Sequence, residues 1–175
     1  ARQTLGARTS PSAVKTITGR IQDVAATIAG HYDLAVMSLC YHHMPREAKI
    51  RHLRELAGKA DSFVLFEVDA NHDLPERDSP ELAVAVYQCY GRLIDAVFAH
   101  DAPIELANAC VDRFLMTEAV SILTQPRGVR TDYHMLRSQW HEVFAAGLGD
   151  DFECRGEFTA YSDDFMALFT LAYGR

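Results

Sequence analysis

Two adjacent histidines, His42 and His43, end the apolar run of YDLAVMSLCYHHMP, residues 32–45. Glu67, Asp69 and Asn71 end or follow the next such run, SFVLFEVD, residues 62–69. Imidazole and carboxylate exchange protons near neutral pH and also bind cations, so general acid or base work and metal ligation are the chemistries to weigh. Acidic groups at the end of an apolar segment with no local cation point to a pocket, although Glu67 and Asp69 would also serve as solvated loop charges or as caps near Asp73 and Asp78. Neighbouring side chains on a strand point to opposite faces, so His42 and His43 are not expected to chelate one ion, and no metal site is expected. Further along, Glu118 lies among apolar residues in RFLMTEAVSIL and needs a partner if buried, with Arg113 or Arg137 as candidates. Tyr133 and His134 are placed near the start of a helix, where a capping Asp132 explains the local chemistry equally well. Trp140, on a stripe with Leu136, Val143 and Phe144, reads as core.

The elements that must position these groups follow from periodicity. Residues 1–8 read as a helix end, residues 13–18 alternate like a strand, and Ile21, Val24, Ala25 and Ile28 recur at helical spacing before Gly30. Residues 33–40 are apolar without alternation, as in a parallel strand covered on both faces. REAKIRHLRELAGK carries Ile50, Leu53 and Leu56 on one stripe and closes at Gly58, an amphipathic helix leading into the strand 62–69. Residues 33–69 therefore read as one βαβ unit. From Ser79 three helical segments follow, divided by Pro103, Pro126 and Gly128, giving a helical insertion or lid over 79–149. DFECRGEFTAYS and DDFMALFTLAYG read as an antiparallel pair closing the sheet. In an open α/β sheet, ligands bind beyond the carboxyl ends of the strands, where both the His pair and the acidic group fall.

A chain of 175 residues, 49% of them hydrophobic, is expected to bury a single core. Its net charge of −7 argues against gripping a phosphate backbone, so no nucleic-acid partner is expected. Cys40, Cys89, Cys110 and Cys154 are widely spaced, without a C-x-x-C pair, as suits reduced thiols of a cytoplasmic protein. The apolar runs are short and interrupted, and neither a signal segment nor a membrane span is expected.

The succession YDLAVMSLCYHHM, amphipathic helix, SFVLFEVD, helical stretch and final strand pair resembles the carboxyl-terminal part of a class I S-adenosylmethionine-dependent methyltransferase. TITGRIQDV looks like that family's third strand and adenine-contacting loop, and SLCYHHM like its fourth-strand motif. RFLMTEAVSIL with RTDYHMLRSQWHEVFAAGL is similar to the GRAS-like branch. The resemblance implies a Rossmann-like, mostly parallel sheet with a terminal antiparallel strand pair. It also implies an S-adenosylmethionine site at Arg20, Ile21, Ser38, Leu39 and Tyr41. The family's Gly-rich loop and ribose-binding acid have no counterpart, so the amino-terminal part of the cofactor site is expected to be absent, and Arg20 stands where the family has an acid.

The implied activity is methyl transfer to a small molecule. His43, Glu67 and His134 are the candidate bases, and His42, Asp69 and Tyr133 the candidate substrate contacts, with residues 79–149 as the substrate wall. A noncatalytic methyltransferase-like interaction module is the alternative. A metal-dependent hydrolase built from His42, His43, Glu67 and Asp69 ranks behind both. An uncovered sheet edge would favour pairing into a homodimer.

Overall fold

The computed structural model describes residues 15–70, 77–126, 129–130, 132–164 and 166–175. The chain forms two units, Ala1–Gly30 and His31–Arg175. In the first, helix α1 (Ile21–Val24) continues into a 3-10 turn, Ala25–Thr27. Arg20 occupies the N-cap position and pairs with Asp23 at 3.9 Å, both side chains exposed. Residues 15–18 form no strand, a departure from their alternating pattern. A strand exists only as part of a ladder, and no described residue pairs with them. Residues 13 and 14, where the strand was expected to begin, lie outside the described residues, as do residues 1–8.

The second unit runs β1 (Tyr32–Ser38), α2 (Arg46–Ala57), β2 (Ala60–Asp69) and α3 (Pro80–Ala99). A broken helix follows, α4 (Ile104–Cys110) and α5 (Met116–Thr124), joined by a π-helical turn at Val111–Leu115. Helix α6 (Arg137–Leu148) and strands β3 (Glu153–Ser162) and β4 (Ala167–Gly174) complete it. The sheet has four strands in the order β1-β2-β4-β3. β1 and β2 are parallel, from Tyr32 opposite Ala60 to Ser38 opposite Phe66, as the βαβ pattern predicts.

The expectation of a Rossmann-like, mostly parallel sheet is overturned. Among the described strands β1 and β2 form the one parallel pair; β4 runs antiparallel to both β2 and β3, so the sheet is mixed and mostly antiparallel. A short connection returns β4 beside β3, and so short a return permits only the antiparallel direction. β4 then inserts against β2 and brings Glu67 opposite Phe169. β1 is not covered on both faces either: Leu34 is 50% and Val36 62% exposed, while Met37 is buried.

Two apolar groupings hold the sheet. Ile50, Leu53 and Leu56 of α2 are buried, as are Trp140, Val143 and Phe144 of α6. The two helices meet so closely that a Cβ on Gly147 would stand 2.5 Å from Leu53 Cβ. Helix α6 is thus packed body rather than lid. The second grouping packs Leu82, Val86, Cys89 and Tyr90 of α3 against Val111, Leu115, Ala119 and Ile122, under Val68, Ala70 and Met166. Ser79 fixes the start of α3 by accepting the Leu82 N–H at 3.1 Å, with Pro80 next to it in the first turn. By length and composition α3 could cross a bilayer, yet it has buried core residues at helical spacing.

Candidate functional site

Strand β2 places Phe63, Leu65 and Glu67 on one face, because side chains alternate with period two, and all three are fully buried. A carboxylate at such a position needs compensating donors. It finds them in the turn after β1: the Cys40, Tyr41 and His42 N–H groups donate to Glu67 Oε1 at 3.0, 2.9 and 3.3 Å. Glu67 Oε2 accepts the His42 Nδ1–H at 2.8 Å. Glu67 is therefore consumed in shaping the turn and in setting the tautomer of His42. The backbone enters that turn through Leu39 at φ 46, a left-handed conformation costly for a branched, bulky residue. Tyr41–His43 then form one 3-10 turn.

That turn overturns the expectation that His42 and His43 diverge. Their rings lie 4.1 Å apart, centre to centre. His42 is buried and stacks on His134, with centres 4.8 Å apart and ring planes 10° apart. With Nδ1 committed to Glu67, its buried Nε2 has no hydrogen-bond partner among the described residues. His43 is 40% exposed; its Nδ1 stands 3.2 Å from Asp132 Oδ1 and its Nε2 3.8 Å from Glu118 Oε1.

Tyr133 and His134 lie ahead of the helix, not near its start as predicted, and Asp132 precedes them without capping it. Helix α6 starts only after Leu136, whose N–H is capped by Gln139 Oε1 at 2.9 Å. The segment is held at several points. Tyr133 N–H donates to His42 O at 2.6 Å, and Met135 forms a parallel bridge with Asp69. Lys49, fully buried in α2, donates to Tyr133 O at 2.6 Å and stands 4.5 Å over the Trp140 ring. Asp69 caps the start of α6, accepting the Arg137 N–H at 2.8 Å and pairing with its Nε at 3.2 Å.

Glu118 is buried, but its partner is neither Arg113 nor Arg137 as expected; it accepts the Tyr90 hydroxyl at 3.2 Å and faces His43. Burial pushes its carboxyl pKa up, and the neighbouring Asp132 adds to this; His42, His43 and the Tyr90 hydrogen bond pull the other way. Tyr90 is raised by its own burial and then by Glu118. Cys40 is raised chiefly by burial, with Glu67 contributing. A pocket of about 470 Å³ opens on His43 and Glu118, walled by Arg113, Phe114 and Thr117. The π-helical turn carries Arg113 and Phe114 to that wall, an irregularity that often marks a working site.

Of the residues singled out from sequence, His42, His43 and His134 converge, with Glu67 behind His42. Tyr133 joins them through its backbone, while Asp69 serves the start of α6. Ser38 and Leu39 are exposed at the end of β1. The Tyr41 side chain turns inward, fully buried and bonded to His52 Nδ1. Arg20 and Ile21 belong to the first unit. Asn71 and Asp73 lie outside the described residues. Sequence reasoning missed Lys49, which reads as a charge opposite the apolar stripe of α2, and gave Asp132 only a capping role. No protein-family model matches the chain, and no curated protein matches it.

Proposed function

We propose that the chain takes part in S-adenosylmethionine-dependent methyl transfer to a small-molecule acceptor, with the pocket over His43 and Glu118 as the acceptor side. The observation that carries the reading is the His43–Asp132 pair, 3.2 Å apart beside a pocket of about 470 Å³, at the end of the strand whose sequence resembles the methyltransferase motif. Asp132 is fully buried and His43 partly exposed, so the carboxylate orients the ring and the Nε2 side of the imidazole, which borders the pocket with Glu118, meets the acceptor. S-adenosylmethionine, when bound, supplies the electrophilic methyl group. Exposed Ser38 and Leu39 suit contact with it; Tyr41 does not offer its side chain. His43 takes the acceptor's hydroxyl or amine proton at Nε2, and Asp132 stabilises the imidazolium that results. Arg113 and Phe114 favour an acceptor carrying an anionic or aromatic group. The role follows from position, since a base on the pocket wall loses effect when moved by an ångström.

The test is transfer of labelled methyl from S-adenosylmethionine into small-molecule pools by the wild type and by His43→Ala and Asp132→Asn. A drop of about 10²-fold or more in both variants is expected of a general base and its orienting acid. Turnover unaltered in both would overturn the base assignment, and no turnover in the wild type would overturn the reading. The noncatalytic alternative draws on one observation, the exposed Leu34 and Val36 of β1, which a protein partner or a second copy could cover. A concentration-dependent dimer that binds no S-adenosylhomocysteine would favour it.

A further inference from the structure

We propose that His42, His43, Glu118 and Asp132 form a binding site for a borderline divalent transition cation of the Zn²⁺ type. Each of the four offers one donor atom, and these atoms lie within 4.8 Å of one another. Two imidazoles with two carboxylates is a donor set that suits such ions better than Mg²⁺ or Ca²⁺, which prefer oxygen alone. Tetrahedral coordination at about 2.0–2.2 Å places donor atoms roughly 3.3–3.6 Å apart, so binding requires a modest contraction. The His43 side chain is 40% exposed and has room to adjust, whereas His42 is buried and held by Glu67.

Proximity alone would not distinguish this cluster from an ordinary ion-pair network. Two further observations do. His42 is 3% exposed, and its Nε2 meets no hydrogen-bond partner among the described residues although the nitrogen is buried. A buried polar atom left this way is costly, and a bound cation removes the cost. Glu118 Oε1 is in the same condition on a side chain 9% exposed. Moreover, Glu67 holds His42 Nδ1–H at 2.8 Å, which leaves the Nε2 lone pair for the cluster. A carboxylate fixing the tautomer of an imidazole in this way is the usual support behind a metal-binding histidine. Tyr90 does the corresponding work for Glu118, donating to Oε2 and leaving Oε1 turned toward His43. The pocket on His43 and Glu118 gives an outside oxygen ligand access to an open position on the ion.

The cation site stands on these atoms and is tested without methyl transfer; with the ion bound, His43 and Asp132 serve as ligands, so the base role proposed for His43 belongs to the metal-free state. The experiment is calorimetric titration of Zn²⁺ into the purified chain and into His42→Ala, Glu118→Gln and His141→Ala, with Co²⁺ absorption as a second readout. Wild type and His141→Ala are expected to take up one equivalent, with Co²⁺ giving a four- or five-coordinate spectrum free of thiolate charge-transfer bands. His42→Ala and Glu118→Gln should each weaken binding at least about tenfold. Glu118→Gln is nearly isosteric, and its circular dichroism shows whether it is folded. Absence of saturable uptake in the wild type, uptake unchanged in either site variant, or thiolate bands in the Co²⁺ spectrum would overturn the assignment. Failed methyl transfer with metal uptake intact would count against the proposed activity alone.

Discussion

Glu67→Gln tests whether the turn after β1 is built around a charge. Gln keeps one carbonyl oxygen, which can still accept from the Cys40, Tyr41 and His42 N–H groups. Hydrogen bonds to an ionised acceptor are roughly twice as strong as neutral ones, so the two contacts near 3.0 Å lose on the order of 0.5–1 kcal/mol each. The amide NH2 then falls where Oε2 accepts the His42 Nδ1–H at 2.8 Å, setting donor against donor. His42 must move its proton to Nε2, adding about 1 kcal/mol, while the relieved desolvation of a carboxylate offsets part of the total. The net expectation is a loss of about 2 kcal/mol by urea denaturation with an unchanged m-value. Nitrogen-15 shifts should show the His42 proton transferred from Nδ1 to Nε2, and Zn²⁺ affinity should fall 10- to 100-fold, roughly. Stability within about 0.5 kcal/mol of wild type with the His42 tautomer unmoved would refute the reasoning.

Lys49→Met removes the charged donor to Tyr133 O while keeping the volume; a loss of about 1–2 kcal/mol is expected, with faster hydrogen exchange at the Tyr133 amide. Unchanged exchange there would show that Lys49 does not hold the segment. Gly147→Ala gains about 1 kcal/mol of helix propensity but forces a Cβ to 2.5 Å from Leu53 Cβ, so a net loss of about 1–2 kcal/mol is expected by thermal denaturation. A stabilised variant would contradict the close approach of α2 and α6. The Glu157 carboxyl is held below its ordinary value by hydrogen bonds from Arg137 and then His141. A depressed folded value means a contribution present above the unfolded pKa and lost as pH falls through the folded one. Glu157→Gln should therefore lose less stability than wild type on acidification below about pH 4.5, by under about 1 kcal/mol because the site is solvent-screened. Parallel acid curves would contradict this.

The portion of the fold legible in the sequence is the portion set locally. β1, α2 and β2 follow from apolar runs and a helical stripe, and the antiparallel relation of β3 and β4 from their short connection. The insertion of β4 beside β2 is a long-range choice that no local pattern encodes, so the parallel sheet inferred from β1 does not extend across the molecule. Cluster membership was legible by residue type but not by geometry. His42 and His43 read as diverging because their segment reads as strand; three N–H groups turned toward Glu67 make it a 3-10 turn instead. Lys49 reads as a charge opposite the apolar stripe although it precedes Leu53 and Leu56 by four and seven residues; the Tyr133 carbonyl and the Trp140 ring, both distant in sequence, receive its buried ammonium. Asp132 reads as a cap because helix α6 is expected to start earlier than it does.

Calorimetric titration of S-adenosylhomocysteine into the chain bears most directly on the proposed activity. Saturable binding that Ser38→Trp weakens at least tenfold, with the fold intact by circular dichroism, is the expected result. No binding in the wild type, or binding indifferent to Ser38→Trp, would contradict methyl transfer at the end of β1.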